Sequence, residues 1–132
     1  MDAIEVMKNT KTFAILGASA REDSYGYELV KILSDLNYRV FPINPKYDEI
    51  YNLKCFKSYK DIDERVDNLV FAMSPQNSIK VLSFIENIDC YVWFPPECWD
   101  DEVIEIAKSK QLKYLKDVCP IGTYLKMSAE QK

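Results

Sequence analysis

Short apolar runs and amphipathic stretches take turns along this chain of 132 residues. The runs at 13–17 (FAILG), 39–43 (RVFPI), 68–73 (NLVFAM), 90–94 (CYVWF) and 113–115 (KYL) read as strands, and 54–56 (KCF) as a further short one. Each is too brief for a buried helix, and most are rich in branched and aromatic side chains. Pro42 suits a strand end or an edge strand. Between the runs the apolar spacing changes to i, i+3, i+4, i+7. Gly26, Leu29, Val30, Leu33 and Leu36 predict a helix over 25–36. A second carries Ile79, Leu82 and Ile85 and starts at Ser74-Pro75, with the hydroxyl as N-cap and the proline at N1. A third spans 100–110, with Val103, Ile106 and Ala107 inward. Strands alternating with helices of about 10–13 residues predict parallel pairing through right-handed crossovers. The expected fold class is α/β, a small doubly wound, mainly parallel sheet flanked by helices. One domain is expected over 1–132, with its core at about 12–120. Residues 1–11 and 121–132 are expected to be peripheral, and the final MSAEQK a frayed tail.

In such a sheet ligands sit beyond the carboxyl ends of the strands. Those ends are Gly17-Ala18-Ser19, Asn44-Pro45-Lys46, Met73-Ser74-Pro75, Phe94-Pro95-Pro96 and Val118-Cys119-Pro120. Gly17 lets the chain turn tightly, and the N–H groups and dipole of the next helix favour a phosphate there. Ser19 and Ser24 add hydroxyls and Arg21 a cation. The plainer alternative is a strand-to-helix turn with Ser24 as its N-cap, because the G-x-G-x-x-G spacing is absent. After the second strand an NAD site usually has Asp or Glu for the ribose hydroxyls. Here Asn44-Pro45-Lys46 stands instead, and lysine suits an extra ribose phosphate, as in coenzyme A or NADP. A turn proline beside a solvated lysine is the alternative. Residues 44–63 lack a helical period and read as a surface crossover covering part of one sheet edge.

Composition narrows the function classes. The net charge of −4 disfavours a nucleic-acid partner. No apolar run approaches the ~20 residues of a membrane span. The N-terminal stretch has neither a basic start nor an apolar signal core, so a cytoplasmic location is expected. Cys55, Cys90, Cys98 and Cys119 form no C-x-x-C and read as free thiols in a reducing compartment. The chain has no histidine, which removes Ser-His and Cys-His pairs, phosphohistidine chemistry and imidazole metal ligands. No metal site is expected.

Five motifs then follow in order: Gly17-Ala18-Ser19, Tyr25-Gly26-Tyr27, Asn37-Tyr38-Arg39-Val40, Pro42-Ile43-Asn44-Pro45 and Tyr59-Lys60-Asp61-Ile62. Together with Cys119-Pro120 they resemble, over about 12–120, the small stand-alone CoA-binding-domain proteins. That Rossmann-like family is similar to the CoA-binding domain of succinyl-CoA synthetase. The resemblance implies coenzyme A or acyl-CoA as ligand. It implies that Gly17, Ala18 and Ser19 cradle the pyrophosphate, with Arg21, Ser24 and Tyr25 at the same turn. By the same resemblance Asn44, Pro45 and Lys46 lie near the ribose 3′-phosphate and adenine. Met73, Ser74 and Pro75 form an apolar wall for the adenine, and Phe94 with Pro95 borders the pantetheine path. Two positions depart from the family pattern. Asn37 replaces a glycine, which asparagine's tolerance of left-handed backbone allows. Residues 93–97 (WFPPE) replace a glycine-bearing segment, and the prolines there are expected to narrow or close the pantetheine channel.

No catalytic constellation is expected. Glu97, Asp100 and Asp101 read as helix N-terminal charge, while Cys98 or Cys119 could meet the CoA thiol in a mixed disulfide. The expected function is a non-catalytic CoA or acyl-CoA binding or regulatory protein. The alternatives are a component of an acyl-CoA ligase or transferase needing a partner chain, and an NAD(H)-binding redox sensor. A homodimer or a ligase partner would fit. Tyr47, Tyr51, Tyr59 and Tyr124 are either half-buried or a self-association patch.

Overall fold

Five apolar strands pair side by side in the computed structural model, which describes residues 2–130. They are β1 (Thr12–Leu16), β2 (Arg39–Ile43), β5 (Asn68–Phe71), β6 (Tyr91–Phe94) and β7 (Lys113–Lys116). All pair in parallel, in the order β2-β1-β5-β6-β7. β2 is an edge strand, which accommodates Pro42. Helices α2 (Tyr25–Asp35), α3 (Pro75–Phe84) and α4 (Asp101–Ser109) make the crossovers, close to their expected limits.

Alternation along each strand sends side chains to opposite faces. Phe13, Ile15, Val70, Trp93 and Leu115 pack on α2 through Leu29, Val30 and Leu33. Ala14, Leu16, Leu69, Phe71, Val92 and Phe94 pack on the other face against Leu82 of α3 and Val103, Ile104 and Ala107 of α4. Burial on both faces explains why β1, β5 and β6 read as continuous apolar runs. Ile104 takes the buried position on α4, and Ile106 is only partly covered.

The two ends depart from expectation. Residues Ala3–Asn9 form α1, N-capped by Asp2, and its Val6 and Met7 are buried. Pro120–Glu130 form α5, whose Thr123 and Met127 are buried. Both helices cover the same face as α2. The expected frayed tail is thus largely helix, while Gln131 and Lys132 lie outside the described residues.

The crossover at 44–63 holds an antiparallel hairpin of β3 (Glu49–Ile50) and β4 (Leu53–Lys54). Its turn is Tyr51-Asn52, both at positive φ (52° and 62°), the backbone of a tight two-residue hairpin. The strand expected at 54–56 reduces to Lys54 in β4 and one parallel bridge from Phe56 to Ile43, which extends the sheet beyond β2. Lys57 Nζ donates to the carbonyls of Pro45 and Tyr47 and to Asp48 Oδ1, fixing the hairpin's approach. Asn37 sits at φ 72° and closes α2, with Tyr38 N–H donating to the Leu33 carbonyl.

One buried polar group ties the lower sheet together. Asn68 is fully buried; its Nδ2 donates to Thr10 Oγ1 (2.8 Å) and the Thr12 carbonyl (3.1 Å), and its Oδ1 accepts from Trp93 Nε1 (2.9 Å). Replacing it strands the Trp93 indole N–H in the core. Asn68→Leu is expected to cost about 2–4 kcal/mol, because buried partners lose their bonds. Urea unfolding should show a lower midpoint with an unchanged slope, and an unchanged midpoint would refute this role.

Candidate functional site

The turn after β1 is shaped by two close backbone approaches. Gly17 has φ +83°, and a Cβ there would lie 2.2 Å from the Ala72 carbonyl oxygen. A Cβ on Gly26, in the first turn of α2, would lie 2.3 Å from the Gly17 carbonyl oxygen. Helix α2 is thereby seated directly on the turn. Ser24 caps it: Oγ accepts from Tyr27 N–H and donates to the Arg21 carbonyl. Ser19 Oγ accepts from Arg21 N–H and lies 3.4 Å from the Tyr47 hydroxyl. The amides of Ala18, Ser19 and Ala20 have no acceptor among the described residues. Ala18 is fully buried, whereas the N–H groups of Ser19 and Ala20, nearer the surface of this turn, are chemically suited to an anion.

The second strand's end is tied to this turn. Asn44 Nδ2 donates to the Ala18 carbonyl (2.8 Å), and its Oδ1 accepts from Lys46 N–H (2.9 Å). The Asn44 amide thus acts as a brace between two loops. Pro45 and Lys46 are exposed, and Lys46 forms no ion pair among the described residues. Arg21 reaches solvent beside Asp23, at 3.5 Å.

A crevice of about 490 Å³ opens next to the turn, lined by Tyr25, Ala72, Met73, Pro96, Glu97, Cys98 and Cys119. It lies at the carboxyl ends of β5, β6 and β7, beside the β1–β5 junction where the chain order reverses. That junction is where open parallel sheets take ligands. A larger hollow, about 710 Å³, follows the outer side of β2 and holds none of the expected site residues. Tyr25 and Met73 line the crevice, whereas Ser74 caps α3 by accepting from Asn77 N–H and Pro75 occupies its first turn.

Phe94 is corrected by the structure. It is 0% exposed, and its ring packs 5.0 Å from that of Phe71 and 6.4 Å from that of Tyr114. Pro95 is buried too, its carbonyl accepting from Cys98 N–H. The wall expected from Phe94 and Pro95 is built instead by Pro96, Glu97 and Cys98. The 93–97 segment leaves the crevice open. Pro96 stands at the strand end that the sequence marked, while Ala72 carried no chemical signal there.

The titratable groups divide by position. Asp100 N-caps α4, accepting from Val103 N–H, and Asp101 lies in its first turn, both as expected. Glu97 does not join the helix; it is exposed at φ 69° on the crevice rim. Burial pushes the Tyr25 hydroxyl well above the usual tyrosine range, and its bond to Cys119 acts the same way. Tyr25 is therefore a protonated donor, 2.8 Å from Cys119 Sγ. Burial also raises the Cys98 thiol. The four tyrosines with two readings, Tyr47, Tyr51, Tyr59 and Tyr124, are half-buried. Among the described residues no helix is long and apolar enough to cross a membrane.

A parallel sheet with this strand order, a glycine turn seated against a helix and a crevice at the order reversal defines a Rossmann-like α/β domain. The chain belongs to the CoA binding domain family, whose pattern it matches over residues 11–124. It is 46% identical over 63 residues to an ADP-forming acetate–CoA ligase of Methanocaldococcus jannaschii, covering 48% of this chain and 9% of the ligase. It is also 28% identical over 116 residues to the uncharacterized protein YneT of Bacillus subtilis, covering 87% of this chain and 86% of YneT. A hypothetical protein from Pyrococcus horikoshii shares the fold at a TM-score of 0.83 and 23% identity, covering 96% of this chain and 89% of the other. The chain thus spans under a tenth of the ligase it matches.

The local chemistry fits the family's cofactor: the amides of Ser19 and Ala20 and the cations Arg21 and Lys46 suit phosphates, and the largely apolar crevice suits an uncharged arm. The turn's packing is testable by paired substitutions. Gly26→Ala is expected to destabilise by about 1–3 kcal/mol through overpacking. Gly122→Ala, in the first turn of α5 with nothing within 4 Å, is expected to be neutral or to stabilise by up to ~1 kcal/mol. Thermal melts should move in opposite directions, and parallel shifts would refute the close approach.

Proposed function

We propose that this chain binds coenzyme A or acyl-CoA as a non-catalytic binding or regulatory protein. The observation that carries the reading is the pair of unengaged amides at Ser19 and Ala20, beside a crevice at the sheet's order reversal. Those amides and the start of α2 hold the diphosphate. Lys46, beyond β2, faces the ribose 3′-phosphate, and Asn44 keeps the two loops in register. The pantetheine arm lies in the crevice between Tyr25, Met73 and Pro96. Coenzyme A contributes a thiol that carries acyl groups; the protein supplies recognition. The chain has no histidine, and Asp100 and Asp101 are committed to the start of α4.

A second reading, a CoA-binding component of an acyl-CoA ligase acting with a partner chain, draws on the similarity to the acetate–CoA ligase. Pull-down of a histidine-bearing ligase subunit and ligase activity of the mixture would favour it. An NAD(H) sensor is disfavoured by Asn44-Pro45-Lys46 in place of an acid after β2, and NADH binding tighter than CoA would reverse that order.

Calorimetry should show CoA binding more tightly than its 3′-dephospho form. Lys46→Ala should weaken CoA by about two- to fivefold, the scale of an exposed charge pair, and leave the dephospho form unchanged. Equal affinities would remove Lys46 from the site, and absence of binding would overturn the function.

A further inference from the structure

Two cysteines meet a tyrosine inside the crevice. Cys119 follows β7, Cys98 follows β6, and Tyr25 begins α2; all three line the same cavity. Their strands are neighbours in the sheet, Phe94 pairing with Lys116, so the fold brings these distant residues to one edge. Cys119 also precedes Pro120, the first residue of α5, and its carbonyl accepts from Thr123 N–H and Thr123 Oγ1, both at 2.9 Å. The sulfur therefore sits at the open end of an 11-residue helix and accepts the Tyr25 hydroxyl. A helix start and a hydroxyl donor are surroundings in which cysteine sulfur attacks disulfides readily. Cys119 is half-exposed, whereas Cys98 is 6% exposed and its thiol is raised by burial. The two thiols thus differ in access. Cys55 and Cys90 are buried elsewhere in the fold.

We propose that Cys119 forms a mixed disulfide with the thiol end of the cofactor, using CoA disulfide as the oxidised reactant. The proposal rests on the CoA-binding reading. A ligand with its 3′-phosphate at Lys46 beyond β2 and its diphosphate at the β1 turn lays its remaining arm over β5, β6 and β7. Cys119 lies at that end of the row. The Cys119 sulfur attacks one sulfur of the CoA disulfide and loses its proton to solvent. The S–S bond of the reactant breaks, one CoA leaves as its thiol after taking up a proton, and a Cys119–S–S–CoA bond forms. No net electrons are gained or lost. A crevice closed in this way exchanges ligand only when a thiol reduces the bond, which makes occupancy follow the oxidation state of the CoA pool.

The test treats the full chain with CoA disulfide and reads intact mass. One adduct of CoA less two hydrogens, reversed by dithiothreitol, is expected, and peptide mapping should place it on Cys119. Formation should be about tenfold faster than with oxidised glutathione, since binding orients the reactant. Cys119→Ser should abolish it, and Tyr25→Phe should slow it by about tenfold, the worth of one hydrogen bond to charged sulfur. An adduct on Cys98, Cys55 or Cys90 would overturn the proposal. Calorimetry with reduced CoA separates the two readings. If reduced CoA binds and the disulfide leaves no adduct, the covalent step fails and the binding function stands. If reduced CoA does not bind and both disulfides react equally slowly, the binding function fails and the directed attack with it.

Discussion

The close approach of α2 to the end of β1 is the constraint on which the rest of the site depends. Two glycines make it possible, each because a neighbouring carbonyl oxygen lies where a Cβ would be. Gly17 yields to β5 and Gly26 yields to Gly17, so sheet, turn and helix stack with no side chain between them. The tight turn before α2 closes only at Arg21–Ser24, which leaves the amides of Ala18–Ala20 without an acceptor among the described residues. The Asn44 brace then holds the next loop against that turn. A glycine-rich motif is often read as making room for a ligand; here the room is first needed by the protein's own backbone.

This arrangement explains how a chain of net charge −4 can suit a polyanionic cofactor. Some acidic side chains are engaged in ion pairs, as with Arg39–Glu64 and Lys31–Asp35. At the edge itself Arg21 is paired with Asp23 and Glu97 stands on the crevice rim, so the positive groups are Arg21, Lys46 and the start of α2. Local dipoles and a few cations decide anion binding at short range, where the net charge of the whole protein is screened within about a Debye length.

Legibility in the sequence followed how strongly burial constrains each segment. β1, β5 and β6 are covered on both faces, so their apolar runs leave no other reading. α1 was illegible because seven residues with two fully buried side chains set no helical period. α5 escaped because its inner face mixes Pro120, Thr123 and Met127. The hairpin has two-residue strands and a Tyr-Asn turn in place of the usual Asn-Gly, so neither strand nor turn announced itself. At the site, position along the chain was legible and direction was not. Phe94 was correctly placed at a strand end, yet strand parity sends it with Val92 toward α3 and α4. Two residues further on, outside the sheet's alternation, Pro96 reaches the crevice.

The same parity argument explains why the unusual 93–97 segment does not close the site. Trp93 and Phe94, its two largest side chains, are both fully buried, and each is held by the core: Trp93 by its bond to Asn68, Phe94 by Phe71 and Tyr114. Bulk that would block a channel is thereby spent inside the sheet layers. What remains beyond β6 is the Pro95-Pro96 pair, whose fixed φ angles stiffen the loop, and Glu97 in the left-handed region, which turns the chain back toward α4. The Cys98 N–H to Pro95 carbonyl bond closes that turn. Pro96 makes this side of the crevice a stiff wall. Cys98 is 6% exposed on this side, while Cys119, just before α5, is only partly buried.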